Sequence, residues 1–264
     1  MNFFEAFILG LVQGLTEFLP VSSSGHLELG TAILGIKVSD NLLFAVIVHA
    51  ATALSTITIF RNDIAVLIKE TLLFKWNEST KYAFKLAISM IPVGIVGLFF
   101  ENELNQFFGG KVMFVGSMLI VTSMLLAFTY LNKSHTRKIS YTSAFIIGLA
   151  QAVAILPGIS RSGATIATAL LLKTDKDEST RFSFLMVLVP ILGATALTFK
   201  DYLGNPTASD EIPALSLLIG FIAAFISGLL ACRWMIAVVK KGKLIYFAVY
   251  CFIIGTIAII SQLH

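Results

Sequence analysis

The chain reads as an all-α, polytopic membrane protein with six transmembrane helices plus two re-entrant helical hairpins in an inverted-topology repeat. Three observations carry that expectation. Of its 264 residues, 57% are hydrophobic and 13% charged, and the mean hydropathy is +0.89, leaving too little polar surface for a water-soluble globule of this length. Apolar stretches recur at the length a bilayer crossing requires. Finally, the stretch Gln13 to His26, Q-G-L-T-E-F-L-P-V-S-S-S-G-H, has an echo at Gln151 to Thr165, Q-A-V-A-I-L-P-G-I-S-R-S-G-A-T. Gln13 matches Gln151, and Ser22, Ser24 and Gly25 match Ser160, Ser162 and Gly163, at one constant offset of 138 residues, while Pro20 and Pro157 need a one-residue slip.

Taken in order, Asn2 to Leu19 suits a helix, but Pro20 and the Ser22 to Gly25 tract break it. The remainder, Leu27 to Leu34, is too short to cross alone, so the two pieces predict a hairpin that leaves by the side it entered. Leu42 to Phe60, Tyr82 to Phe100 and Val112 to Leu131 are each long enough to span. Tyr141 to Leu156, the break Pro157 to Gly163 and the stub Ala164 to Leu172 predict the second hairpin. Phe182 to Phe199, Ala214 to Cys232 and Leu244 to Gln262 complete the six crossings. Ile64 to Trp76 reads equally well as an interfacial helix or as a loop.

Loop charge agrees with that count. Arg61 to Lys81 carries four basic and three acidic residues, Asn132 to Ser140 carries Lys133, Arg137 and Lys138, and Arg233 to Lys243 adds four basic residues and no acid. These loops belong on the cytoplasmic side. Glu101 to Gly110 and Lys200 to Pro213, mostly acidic, belong outside, and both termini then fall outside. The hairpins insert from opposite sides, so the single membrane domain, 1–264, divides into inverted repeats over 1–131 and 132–264. That is a transporter architecture, so the fold alone does not name an activity. The net charge of +4 sits in a few loops; it bears on orientation and supports no nucleic-acid partner. The first basic residue is Lys37, so the apolar start lacks the basic flank of a signal peptide and is expected to be retained as structure. Cys232 and Cys251 lie in apolar segments without metal or redox spacing and read as small buried hydrophobes.

The ionisable residues that chemistry needs are concentrated at the two breaks. Gln13 and Glu17 are four apart and share a helix face, with Thr16 nearby. An acidic or basic residue at mid-bilayer costs about 2.5–3.5 kcal/mol, so Glu17 and Arg161 each need a partner or a water-filled cavity. They could pair purely as a strut, but the surrounding serines argue for a functional site. Ser22, Ser23, Ser24 and Gly25, like Ser160, Arg161, Ser162 and Gly163, place hydroxyls and backbone N–H groups ahead of short helices, where phosphate is attracted. Arg161 adds a planar fork that suits phosphate oxygens. The plainer reading of such serines is that they cap their helices. His26 is the histidine beside this set and suits proton transfer. His49, inside an apolar span, reads as a hydrogen-bonded core histidine, and His135 and His264 as solvent-exposed. Glu5 and Glu28 are expected at the interface. One carboxylate, one imidazole, one guanidinium and several hydroxyls make up a phosphate-handling set. A Mg or Ca ion bridging Glu17 to a diphosphate suits hard oxygen ligands, with Gln13 able to add a carbonyl.

The two strings resemble those of the bacterial undecaprenyl-diphosphate phosphatases, also known as bacitracin-resistance proteins, over nearly the whole chain. The resemblance implies a bacterial inner-membrane enzyme that hydrolyses the terminal phosphate of undecaprenyl diphosphate, leaving the monophosphate carrier for cell-wall synthesis, with a divalent cation. It further implies that Gln13 and Glu17 form the family's acidic/amide pair, that Ser23 and His26 supply nucleophile and proton transfer, and that Arg161 with Ser160, Ser162 and Thr165 holds the diphosphate. Gln13 departs from members with Glu at that place and cannot act as a base, which concentrates metal binding and acid/base work on Glu17. Expected partners are a polyprenyl diphosphate lipid and the membrane, with a homodimer left open. The rival reading is a transporter or flippase of a prenyl phosphate or another anion.

Overall fold

Two helices that end a short way ahead of a proline set the frame, because each hands over to a second, shorter helix. The computed structural model describes residues 1–34, 42–100, 103–104, 106–107, 111–130, 136–204 and 212–263. The expectations placed on His135, on His264 and on parts of the loops Glu101 to Gly110, Asn132 to Ser140 and Lys200 to Pro213 lie outside these residues.

α1 (Phe3–Phe18) is started by a capping box: the Glu5 amide donates to Asn2 Oδ1 at 2.9 Å and the Asn2 amide donates back to Glu5 Oε2 at 2.8 Å. α2 (Ser23–Leu34) follows the break at Pro20. α3 (Leu42–Ile59) runs into α4 (Arg61–Thr71) through a 77° bend. α4 buries no residue, and Val66, Ile68, Leu72 and Trp76 are exposed on it or just beyond, so Ile64 to Trp76 is a helix followed by a turn rather than a loop throughout. α5 (Glu78–Phe99), capped by Asn77, and α6 (Val112–Tyr130) come next. α7 (Tyr141–Val153), capped by Ser140, ends ahead of Pro157, and α8 (Arg161–Leu171) follows. α9 (Lys176–Gly204), α10 (Ala214–Lys240) and α11 (Ile245–Ile260) close the chain. Among the described residues there is no strand, only an isolated bridge between Arg137 and Thr174.

Four helices, α5, α6, most of α9 and α10, are long and apolar enough to cross a membrane, or five if α3 and α4 form one bent span. Large apolar side chains such as Phe84, Leu98, Leu218, Leu230 and Phe252 stand exposed on them and on α11, as a surface facing lipid would have. The chain is therefore an all-helical, multi-pass membrane protein. Two stretches expected as full crossings differ. Leu244 to Gln262 yields only the 16-residue α11, about 24 Å long at 1.5 Å per residue, which follows the turn at Gly242, whose φ of +66° suits glycine, and ends in a turn at Ser261 and Gln262. Phe182 to Phe199 lies inside the 29-residue α9, which starts six residues earlier and carries Pro190 within it.

Small residues let these helices approach closely. A Cβ on Gly10 would lie 2.5 Å from the Gly220 carbonyl oxygen, and one on Gly14 would lie 2.5 Å from that of Ala224, so α1 packs backbone to backbone on α10. Gly148, at the same 138-residue offset from Gly10 as the motif repeat, meets the Ser89 backbone and seats α7 on α5. Behind the breaks, Phe18, Val21, Leu119, Ile166, Phe184, Met235 and Cys251 form part of the main apolar cluster. Cys232 and Cys251 are buried free thiols.

Candidate active site

Each break makes the same capped turn. Ser22 Oγ accepts the Gly25 amide at 3.2 Å, and Ser160 Oγ accepts the Gly163 amide at 3.0 Å, so in both the serine before the helix takes up an N–H of the first turn. The turns also hold each other. The Gly158 amide donates to Ser22 Oγ at 3.1 Å and Ser162 Oγ donates to the Leu19 carbonyl at 3.1 Å. A Cβ on Gly25 would sit 3.0 Å from Gly158 Cα. Thr122, from α6, braces the second turn: its hydroxyl donates to the Gly158 carbonyl and accepts the Ser160 amide, both at 3.0 Å. Gly158 has φ +97°, open to glycine, whereas Ser22 holds φ +70° with a side chain. That strain, about 1 kcal/mol or more, is maintained by the two amides its hydroxyl receives.

The turns converge on Glu17, whose side chain is 6% exposed. Its Oε2 accepts from Gln13 Nε2 at 2.8 Å and from Ser23 Oγ at 2.6 Å, and its Oε1 accepts from Arg161 Nη2 at 3.2 Å. His49 Nε2 lies 3.8 Å from Oε2. Glu17 and Arg161, 144 residues apart, are thus one ion pair at the contact of the two turns, and the carboxylate is otherwise gripped by neutral donors. Ser23 Oγ donates to a carboxylate, the arrangement of a hydroxyl that can surrender its proton.

The other expected residues divide. Ser22, Ser160 and Gly163 are buried and spend their polar atoms on the caps. Ser24 Oγ lies 3.4 Å from Ser22 Oγ, and Thr165 Oγ1 donates to the Arg161 carbonyl at 2.9 Å. His26 stands one turn along α2, where Nδ1 lies 2.9 Å from the Ser22 carbonyl oxygen and Nε2 lies 2.8 Å from Tyr250 Oη. Its ring nitrogens therefore bond outside the Glu17 cluster. Gln151, paired in sequence with Gln13, is fully buried, with Nε2 4.0 Å from Met90 Sδ; it faces α5 and has no share in the cluster.

His49 departs from its core reading. Nδ1 is bonded to the Ala45 carbonyl at 2.7 Å, as a core histidine would be, but its side chain is 24% exposed and the other nitrogen turns to Glu17. A histidine in an apolar span was the available signal. Thr56 and Ser183 were not legible at all: with Glu17, Ser162 and Thr165 they line a cavity whose apolar walls include Phe18 and Phe184. Ser183 is 2% exposed and its hydroxyl has no hydrogen-bond partner.

No cluster of three or more His, Cys, Asp or Glu exists among the described residues. The donor set nonetheless suits a hard divalent cation that completes its shell with phosphate oxygens, since Gln13 Oε1 is buried without a hydrogen-bond partner beside the Glu17 carboxylate.

Multi-pass helices closing over a buried carboxylate, a guanidinium and hydroxyl-bearing helix starts define a membrane protein with a polar cluster inside an apolar bundle. The family model described as bacitracin resistance protein BacA matches residues 6–257, and the chain belongs to that family. It is 53% identical over 266 residues to an undecaprenyl-diphosphatase of Bacteroides fragilis, covering 100% of both chains. It is likewise 53% identical to the protein of that name in Bacteroides thetaiotaomicron, again over 100% of both, and 39% identical to that of Salinibacter ruber, over 97% of both.

Proposed function

We propose that this protein hydrolyses undecaprenyl diphosphate to undecaprenyl phosphate and inorganic phosphate, within a bacterial inner membrane, supplying the lipid carrier for cell-wall synthesis. Family membership and full-length relatives named as undecaprenyl-diphosphatases support the activity. The one structural observation that carries the site is the convergence of Ser23 and Arg161 on Glu17 from two separate helix starts. The relatives' shared name is that of a phosphatase, which favours hydrolysis over the transport reading.

In this reading the prenyl tail lies among the helices and the diphosphate enters between the two turns. Arg161 exchanges part of its grip on Glu17 for phosphate oxygens and neutralises charge that builds on the terminal phosphoryl group. Ser162 and Thr165 face the same cavity. Ser23 Oγ or a water attacks phosphorus, with Glu17 or His26 taking the proton. Gln13 and Glu17 would hold the divalent cation, Mg or Ca, which supplies Lewis-acid charge to the phosphates when bound.

Six crossings with two re-entrant hairpins, both termini outside and repeats over 1–131 and 132–264 complete the proposal. The crossed packing supports it: α1 leans on α10 and α7 on α5, so the first helix of each break rests on a helix from the other half. Purified protein in detergent with Mg or Ca should release phosphate from a long-chain prenyl diphosphate. A folded protein that releases none under these conditions, while moving labelled lipid phosphate across reconstituted vesicles, overturns the reading.

A further inference from the structure

The hydrogen bonds of His26 fix its protonation pattern. Its Nδ1 faces the Ser22 carbonyl oxygen at 2.9 Å, and a carbonyl only accepts, so Nδ1 carries the hydrogen. In the neutral ring the lone pair is then on Nε2, and Tyr250 Oη, 2.8 Å away, donates to it. The two rings also lie nearly parallel, with centroids 5.6 Å apart and 13° between planes. Both nitrogens are thus engaged before any substrate arrives, and the Tyr250 hydroxyl covers the only one able to accept a proton.

Tyr250 is held in place by its own helix. The neighbouring Cys251 Sγ lies 3.6 Å from the Pro20 carbonyl oxygen, tying α11 to the first break. A Cβ on Gly255 would sit 2.7 Å from the Gly116 carbonyl oxygen, so α11 is pressed against α6, the helix whose Thr122 braces the second break. The pair α6 and α11 therefore contacts both turns, and Tyr250 is its polar contribution at His26.

We propose that Tyr250 is the proton relay of His26, so that a proton enters or leaves the imidazole through the Tyr250 hydroxyl. This rests on the reading above, in which His26 moves a proton during phosphate release. The O–H bond of an attacking water breaks as its proton passes to Tyr250 Oη, since the Ser23 hydroxyl is already turned to Glu17. The original Oη–H bond breaks as that proton passes to Nε2. The O–H pair stays with the nucleophile oxygen, which bonds to phosphorus; tyrosine ends neutral and His26 ends as imidazolium, ready to return the proton by the same path to the departing phosphate oxygen.

Tyr250→Phe keeps the ring stack and removes only the hydroxyl. In phosphate-release assays on purified full-length protein with a prenyl diphosphate and Mg, it should lower kcat about tenfold to a hundredfold and leave KM within about twofold. Its thermal unfolding in detergent should match the parent. In a His26→Ala background the same change should alter kcat by less than about twofold, because the relay has nothing left to serve. Full kcat in Tyr250→Phe, a rise in KM at constant kcat, or an equal fold loss with and without His26 overturns the relay. Where His26→Ala releases no measurable phosphate, the kcat and KM split of the single variant decides. A fully active His26→Ala protein removes the proton-transfer reading of His26 and the relay together, whereas an impaired His26→Ala beside a fully active Tyr250→Phe removes the relay alone.

Discussion

The two breaks share a scaffold and differ in what they mount on it. Ser22 and Ser160 make the same cap, each accepting the amide of the glycine three residues ahead. At the next position the first break carries Ser23 and the second carries Arg161, and both donate to the same carboxylate, one to each oxygen. One turn back the likeness ends: the 138-residue offset sets Ile155 against Glu17, and Gln151 turns to Met90 instead of to an acid. The difference teaches that two like turns supply the geometry, while the residues mounted on them supply unlike donors to one carboxylate. The arginine on the second break offsets the buried charge that the first break carries.

The largest effect should come from removing that difference. Arg161→Ala leaves Glu17 buried without its cation, so phosphate release should fall about a thousandfold, with a stability cost of about 3–5 kcal/mol for the orphaned charge. Arg161→Ala protein that keeps parental kcat would show that the second break is scaffold only. Glu17→Gln should be next, lowering kcat about a hundredfold or more, while restoring some stability to Arg161→Ala when the two are combined, since both charges are then gone. A double variant no more stable than Arg161→Ala, by thermal unfolding, would mean that the pair is not coupled.

The caps sharpen the comparison on the stability side. Ser22→Ala orphans two amides, Gly25 and Gly158, and Ser160→Ala orphans one. At about 1 kcal/mol each, Ser22→Ala should lower the unfolding temperature about twice as far. Equal losses would indicate that the contact between Ser22 and Gly158 carries no weight. Smallest of all, Ser183→Ala removes a buried hydroxyl that bonds nothing in the protein, so its stability should stay within about 0.5 kcal/mol or rise slightly. Any appreciable change should instead appear in KM for the diphosphate, because Ser183 faces the Glu17 cavity.

Much of this was legible because local chemistry was out of place. Glu17 and Arg161 are charges in apolar company, and a Leu-Pro step followed by Ser-x-Ser-Gly must break a helix wherever it occurs. The cluster at Glu17 follows from residues within the two motifs alone. Thr122, Ser183 and Tyr250 reach the site from α6, α9 and α11, and nothing local marks them: a serine or threonine in an apolar helix ordinarily satisfies itself on the preceding turn, as Thr56 does on Thr52. Only tertiary packing separates such residues from their neighbours. Span counting met a related limit, since hydropathy marks Leu42 to Phe60 as one crossing but is silent on the 77° bend into α4.

The amide that Ser22 receives from Gly158 comes from 136 residues further along the chain. A ribosome has therefore made more than half the protein before this serine meets that partner, and Arg161 emerges three residues later. Until then the newly inserted N-terminal half carries a carboxylate awaiting its counterion, so assembly of the Glu17 cluster is a late event, and truncated products ending before Gly158 would be open at their most polar point.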